Sequence, residues 1–102
     1  MQVLIVNAKQ NTIEQANINN DLETFYEIIG TDCVSIIGRK INGKMTEIIC
    51  DEEGKLKAHQ YISGLSEEMN ESLVGNLIIK SQDKSIIDNF NKYGVLTYST
   101  RR

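Results

Sequence analysis

The densest group of residues able to do chemistry lies between Cys50 and Tyr61. Asp51, Glu52 and Glu53 stand in a row behind the Cys50 thiol, Gly54 and Lys55 follow, and His59 comes two residues before Tyr61. Three carboxylates offer oxygen ligands to a hard divalent cation. A thiol with an imidazole offers a nucleophile and its base. The spacing serves neither chemistry well. Consecutive acids at a strand end point to different sides, and no loop of EF-hand spacing follows. A general base needs a proton donor and an orienting carboxylate, and spacing alone places neither beside His59. Cys33 and Cys50 sit in apolar, strand-like runs, where a buried thiol is usually inert packing. They show neither metal-ligand spacing nor a CxxC pair. One glycine between acids repels a phosphate rather than cradling it. No metal and no cofactor are therefore expected.

Other side chains offer contacts rather than catalysis. Arg39 and Lys40 precede the Asn42-Gly43 pair and suit an anionic ligand, although charges at such a place more often protect a hairpin tip. Tyr61, Tyr93 and Tyr98 suit a contact patch, since tyrosine is enriched in such surfaces; the plainer role is the amphipathic edge of a core. The candidate ligand- or partner-contacting residues are Arg39, Lys40, Glu53, Lys55, His59 and Tyr61.

A chain of 102 residues with 40% apolar content is one domain and buries a core without staples. Its net charge of −3 leaves no basic stripe, which disfavours binding to nucleic acid. The opening Val3-Leu4-Ile5-Val6 is too short for a signal segment or a membrane span. A reducing, cytoplasmic setting with two free thiols is the expectation.

The elements that position these residues follow from periodicity and punctuation. Residues 2–8 read as a buried strand, and 12–18 as its return. Asn20 is placed to cap a helix, with Glu23 completing a capping box. Leu22, Phe25, Tyr26 and Ile29 then form one apolar stripe, closed by Gly30. Residues 33–41 and 44–50 read as a hairpin about Asn42-Gly43, where both turn residues take positive φ. That register sets Ile41 opposite Lys44 and Ser35 opposite Cys50. Cys33 and Cys50 then share a face on a diagonal of roughly 7–8 Å, which does not favour a disulfide. The pattern leaves open which hairpin face is buried. Residues 51–55 read as a turn with Gly54 at positive φ. Residues 56–62 fit a short strand or an extended loop, and 66–71 a helical turn or a loop. Leu77-Ile78-Ile79 marks another strand. Asp83 caps a last helix with Ile86, Ile87 and Phe90 inward, closed by Gly94, and 95–98 fit a final strand or a packed tail. The sum is an α+β fold: a mainly antiparallel sheet built from hairpins, with two helices packed on one face.

The runs Val3-Leu4-Ile5-Val6, Asp21-Leu22-Glu23, Ile28-Ile29-Gly30, Ile48-Ile49-Cys50-Asp51-Glu52-Glu53-Gly54-Lys55-Leu56 and Val74-Gly75-Asn76-Leu77-Ile78-Ile79 occur in an order that resembles an uncharacterised family of small proteins from phages, plasmids and other bacterial mobile elements. The resemblance spans residues 1–80. It implies a hairpin, an amphipathic helix, a second hairpin, a Glu-Gly-Lys turn and a strand after a glycine, but no known activity. The chain departs from it after Lys57, where a Pro-Leu-Asn-Arg-like segment gives way to Ala58-His59-Gln60-Tyr61-Ile62. The excess of isoleucine, asparagine and lysine fits an AT-rich genome, as in a bacterium or its phage.

The function expected on these grounds is that of a small, non-enzymatic phage or mobile-element accessory protein in the bacterial cytoplasm. It would bind a host protein or a small ligand, a nucleotide included, with counter-defence as one form and a homo-oligomer among the expected assemblies. The alternatives are a small enzyme with a shallow site around His59, Tyr61 and the acidic turn, and a structural or assembly protein.

Overall fold

Asn42-Gly43 makes a two-residue turn between paired strands, and the architecture grows from it. In the structure, a computed structural model that describes residues 1–57, 61–68 and 71–100, Asn42 has φ 53° and Gly43 φ 84°. This is the turn whose twist matches two antiparallel strands. The strands are β3 (Val34–Ile41) and β4 (Lys44–Asp51), with Ile41 opposite Lys44 and Ser35 opposite Cys50, as the spacing predicts. A second hairpin joins β1 (Gln2–Asn7) to β2 (Thr12–Asn17).

Two helices and six further strands complete the described residues: α1 (Leu22–Ile29), β5 (Ile62–Ser66), β6 (Ser72–Val74), β7 (Leu77–Ile79), α2 (Lys84–Tyr93) and β8 (Leu96–Tyr98), beside β1 and β2 already named. The short β7 slots between the hairpins to give a five-stranded antiparallel sheet, β2-β1-β7-β4-β3. A smaller sheet, β6-β5-β8, contains the parallel pair β5–β8. Paired backbone bonds between Lys40 and Ser99 tie the end of β3 to the residue after β8, so the small sheet folds over one face of the large one.

Alternation along the strands divides the core. Leu4, Val6, Ile48, Cys50, Leu77 and Ile79 point to one face, where they meet Ile86 and Phe90 of α2 with Leu73, Leu96 and Tyr98. Val3, Ile49 and Ile78 point to the other face, under Phe25 and Ile29 of α1. The helices therefore lie on opposite faces of the sheet, not on one. The cause is in the central strands: Val3-Leu4-Ile5-Val6 and Leu77-Ile78-Ile79 are unbroken apolar runs, and a sheet apolar on both faces needs a cover on each.

Cap and turn signals hold with two exceptions, and Leu22 of the expected α1 stripe stands 55% exposed rather than facing the core. Asp21, not Asn20, caps α1. Its carboxylate accepts from the Thr24 N–H at 2.8 Å, and this bond keeps its pKa below the ordinary value. Asp83 caps α2 as expected, accepting from the Ser85 N–H, and Gly30 and Gly94 close the helices at positive φ. Gly54 is the second exception. Its φ is not positive; it opens a single 3-10 turn, Gly54–Leu56, and is buried against β6. A Cβ there would stand 2.6 Å from Val74 Cγ2, so close packing rather than backbone conformation requires the glycine.

Candidate functional site: the groove at the hairpin tip

Asn42 does more than turn the hairpin. Its amide nitrogen donates to the Ser85 carbonyl at 2.9 Å, and its side-chain oxygen accepts from Asn89 Nδ2 at 3.1 Å. Asn89 lies on the inward stripe of α2, between Ile86 and Phe90, and is 8% exposed. Its oxygen accepts from both the backbone N–H and the hydroxyl of Thr97, and its nitrogen also donates to the Thr97 carbonyl. A buried amide satisfied on both ends fixes its surroundings in one arrangement. Here it locks the hairpin tip, α2 and β8 together.

Around that lock is a cleft of about 310 Å³, lined by Lys40, Asn42, Asn89, Tyr93, Thr97 and Tyr98 among others. A neighbouring cleft of about 260 Å³ shares Asn42, Asn89 and Tyr93 and adds Asp88 and Lys92. The Tyr93 ring stands at their common edge, 50% exposed, with Lys92 Nζ 5.2 Å from its centroid, within cation–π range. Tyr98 serves the wall rather than the opening: it is buried, and its hydroxyl donates to the Glu71 carbonyl at 2.9 Å. Burial, then the nearby Glu71 charge, pushes its phenol up to about 12.

A second place, of about 220 Å³, lies where the β3–β4 hairpin faces β6. Arg39 and Lys55 line it, over Cys50. The Arg39 guanidinium is engaged there: Nη2 pairs with Glu71 at 3.3 Å and Nη1 donates to the Gly38 carbonyl at 2.8 Å. Its Nε is buried with no hydrogen bond among the described residues. Burial raises the pKa of the Cys50 thiol, and the Arg39 charge opposes this in part. A larger cleft of about 440 Å³ lies between β4 and the start of α2. Its two lysines are both in ion pairs, Lys44 with Asp83 at 3.2 Å and Lys80 with Glu47 at 3.1 Å.

The acidic row disperses. Asp51 accepts from Lys57 Nζ at 2.6 Å and from the Glu53 N–H at 3.0 Å, and the Asp51 bond raises the Lys57 pKa. Glu52 turns the other way and accepts from the Cys33 thiol at 2.8 Å. That bond, with desolvation and the nearby acids behind it, moves the Cys33 pKa from 9.0 to about 11. The fold thus favours the protonated thiol; the benefit is whole below pH 9 and is lost as pH rises through about 11. Glu52→Gln removes the leading cause. Alkylation of Cys33 by iodoacetamide at pH 8 should then accelerate roughly tenfold, because thiolate is the reactive form. An unchanged rate would show that Glu52 does not control this thiol.

Of the residues expected to make contacts, Arg39 and Lys55 share the hairpin–β6 cleft and Lys40 lines the groove beside Tyr93. Glu53 and Tyr61 are exposed and line none of these four clefts; the Tyr61 carbonyl accepts from the Gly75 N–H. His59 lies outside the described residues. Asn42, Asn89 and Thr97 were not among the candidates. Their signal was Asn89 itself, a polar residue on the apolar stripe that Ile86 and Phe90 define.

No curated protein and no solved structure matches the chain. A family model does match, over residues 1–90, a span that takes in both hairpins, α1, the glycine-led strand β7 and most of α2. The chain belongs to the family described as a domain of unknown function, DUF3846.

Proposed function

We propose that the protein is a non-enzymatic accessory protein of a phage or other bacterial mobile element, which works in the host cytoplasm by holding a host protein or a small ligand against the groove around Tyr93. The observation that carries this reading is the setting of Tyr93. A half-exposed ring stands at the junction of two clefts, near Lys40 and Lys92, on a frame that Asn42, Asn89 and Thr97 hold rigid. A preformed concavity with one aromatic anchor and a few placed polar groups is the usual design of a binding site. Lys40 and Lys92 are balanced by Glu67 and Asp88 on the same linings, so the clefts do not select an anion by net charge; the flat face of the Tyr93 ring suits a planar group, and a nucleotide is one small ligand that carries one. Counter-defence, by sequestering a signal nucleotide or blocking a defence protein, is the form we favour, and the mobile-element setting rests on the resemblance along residues 1–80. The thiols fit a binding role, since burial or a neighbouring carboxylate favours the protonated form of each.

Immobilised wild-type protein, incubated with host lysate, should retain a protein or a small molecule. Tyr93→Ala should retain it at least about tenfold less, the size of effect an aromatic anchor has. Recovery of nothing by the wild type, or equal recovery by both, contradicts the reading.

A further inference from the structure

Asn42 is the one asparagine of the chain that a glycine follows, and such a pair carries a reaction of its own. The backbone nitrogen after an asparagine can attack the side-chain carbonyl carbon, and glycine, with no Cβ, leaves the approach clear. The new carbon–nitrogen bond closes a cyclic imide. The proton of the attacking N–H passes through solvent to the side-chain nitrogen, which leaves as ammonia. Water then opens the imide at either carbonyl. One opening gives aspartate; the other gives isoaspartate, with the backbone rerouted through the side chain. The folded turn opposes the first step in two ways. Asn42 Nδ2 donates to the Ser85 carbonyl at 2.9 Å and Oδ1 accepts from Asn89 Nδ2 at 3.1 Å, so Cγ is fixed against α2. With φ 53° at Asn42 and 84° at Gly43, the turn is of type I′. That shape holds the Asn42 Cβ on the far side of the Cα–C bond from the Gly43 nitrogen.

We propose that Asn42 is a self-modifying site, deamidated by Gly43 at a rate set by the contact between the hairpin tip and α2. While that contact holds, the amide does not reach the Gly43 nitrogen. When the tip lifts from α2 by local unfolding, the turn is free to rotate and the imide closes. The product does not fit back. An aspartate carboxylate has no hydrogen to donate to the Ser85 carbonyl and sets an anionic oxygen against it, in a cleft that Asp88 already lines. An isoaspartate lengthens the turn by one backbone carbon, and turn length fixes the register of the strands paired from Ile41 and Lys44 onward. Either product weakens the lock among Asn42, Asn89 and Thr97. The step is one-way, because ammonia is lost to solvent. The frame around Tyr93 therefore ages with the chain, whether or not the groove takes an occupant.

Incubation of the full chain at pH 8, native and in urea, tests this. Conversion is followed by mass spectrometry of proteolytic fragments and by methyl transfer from an isoaspartyl methyltransferase. In urea, Asn42 should convert ahead of every other asparagine. The native chain should convert it at least about tenfold more slowly, the factor that local opening imposes. Asn89→Ser removes the donor to Asn42 Oδ1 and should raise the native rate by up to about tenfold, as the loss of one buried hydrogen bond allows, with the rate in urea unchanged. Asn42→Asp, which mimics one product, should melt below the wild type. Equal rates in the native chain and in urea, faster conversion at another asparagine, a native rate indifferent to Asn89→Ser in a variant whose circular dichroism is that of the wild type, or an unchanged melting temperature for Asn42→Asp would each overturn the proposal. The comparison of the wild type with itself in urea decides the matter even where Asn89→Ser fails to fold.

Discussion

Ile78→Ala is expected to destabilise the protein by about 2–5 kcal/mol, the cost of emptying a well-packed aliphatic site. Ile78 is the middle residue of β7 and is fully buried. It sits opposite Ile5 on one side and Ile49 on the other, under Phe25 and Ile29 of α1. No neighbour can move in cheaply, since each is held by its own strand or helix. For a domain of this size the total stability is roughly 5–15 kcal/mol, so the loss is a large share of it. The melting temperature should fall by about 10–20 °C at the middle of that range. Leu56→Ala, at a side chain 85% exposed, should stay within about 0.5 kcal/mol. A change below about 1 kcal/mol for Ile78→Ala would contradict the placement of β7 at the centre of the sheet.

Gly54→Ala is the second large effect, and its partner is named. The new methyl would meet Val74 Cγ2 at 2.6 Å and the Val74 carbonyl at 3.4 Å. Val74 is β-branched and lies in β6, so its side chain has little freedom to turn away. Overpacking of this kind costs roughly 1–3 kcal/mol. Val74→Ala removes the obstructing carbon, so the double variant should recover most of the loss made by Gly54→Ala. Such a coupling is the mark of direct contact in a double-mutant cycle. Additive effects would mean that the glycine is required for some other reason, with a left-handed backbone the first candidate to test.

That distinction bears on how much of the molecule its sequence reveals. Features written in local chemistry are legible. Asn42-Gly43 defines a register that holds through Ser35 and Cys50 to its far end at Val34 and Asp51, and Asp83 with Gly94 brackets α2. The unbroken apolar run of β7 marks a buried strand. Features set by tertiary approach are not. Nothing around Gly54 tells a tight turn from a close contact, because both exclude a Cβ and the contacting Val74 is twenty residues away. The small sheet is hidden for a similar reason: β6 is three residues long, and β5 pairs in parallel with a strand some thirty residues later. The groove was half visible. Lys40, Tyr93 and Tyr98 stood out by type, but Asn89 joins them only once α2 turns its inward stripe toward β8. Arg39 and Lys40 are neighbours in sequence, yet they line separate clefts, as alternation along a strand directs.

The most direct test of the binding account is to map the contact surface in solution. Amide chemical shifts of the labelled protein, followed as the molecule captured from host lysate is added, would locate it. The account predicts changes concentrated at Lys40–Gly43, along Asn89–Tyr93 and at Thr97–Ser99, with the free-state shifts of α1 retained. Changes that leave those segments silent and gather on α1 or the β1–β2 hairpin would contradict it.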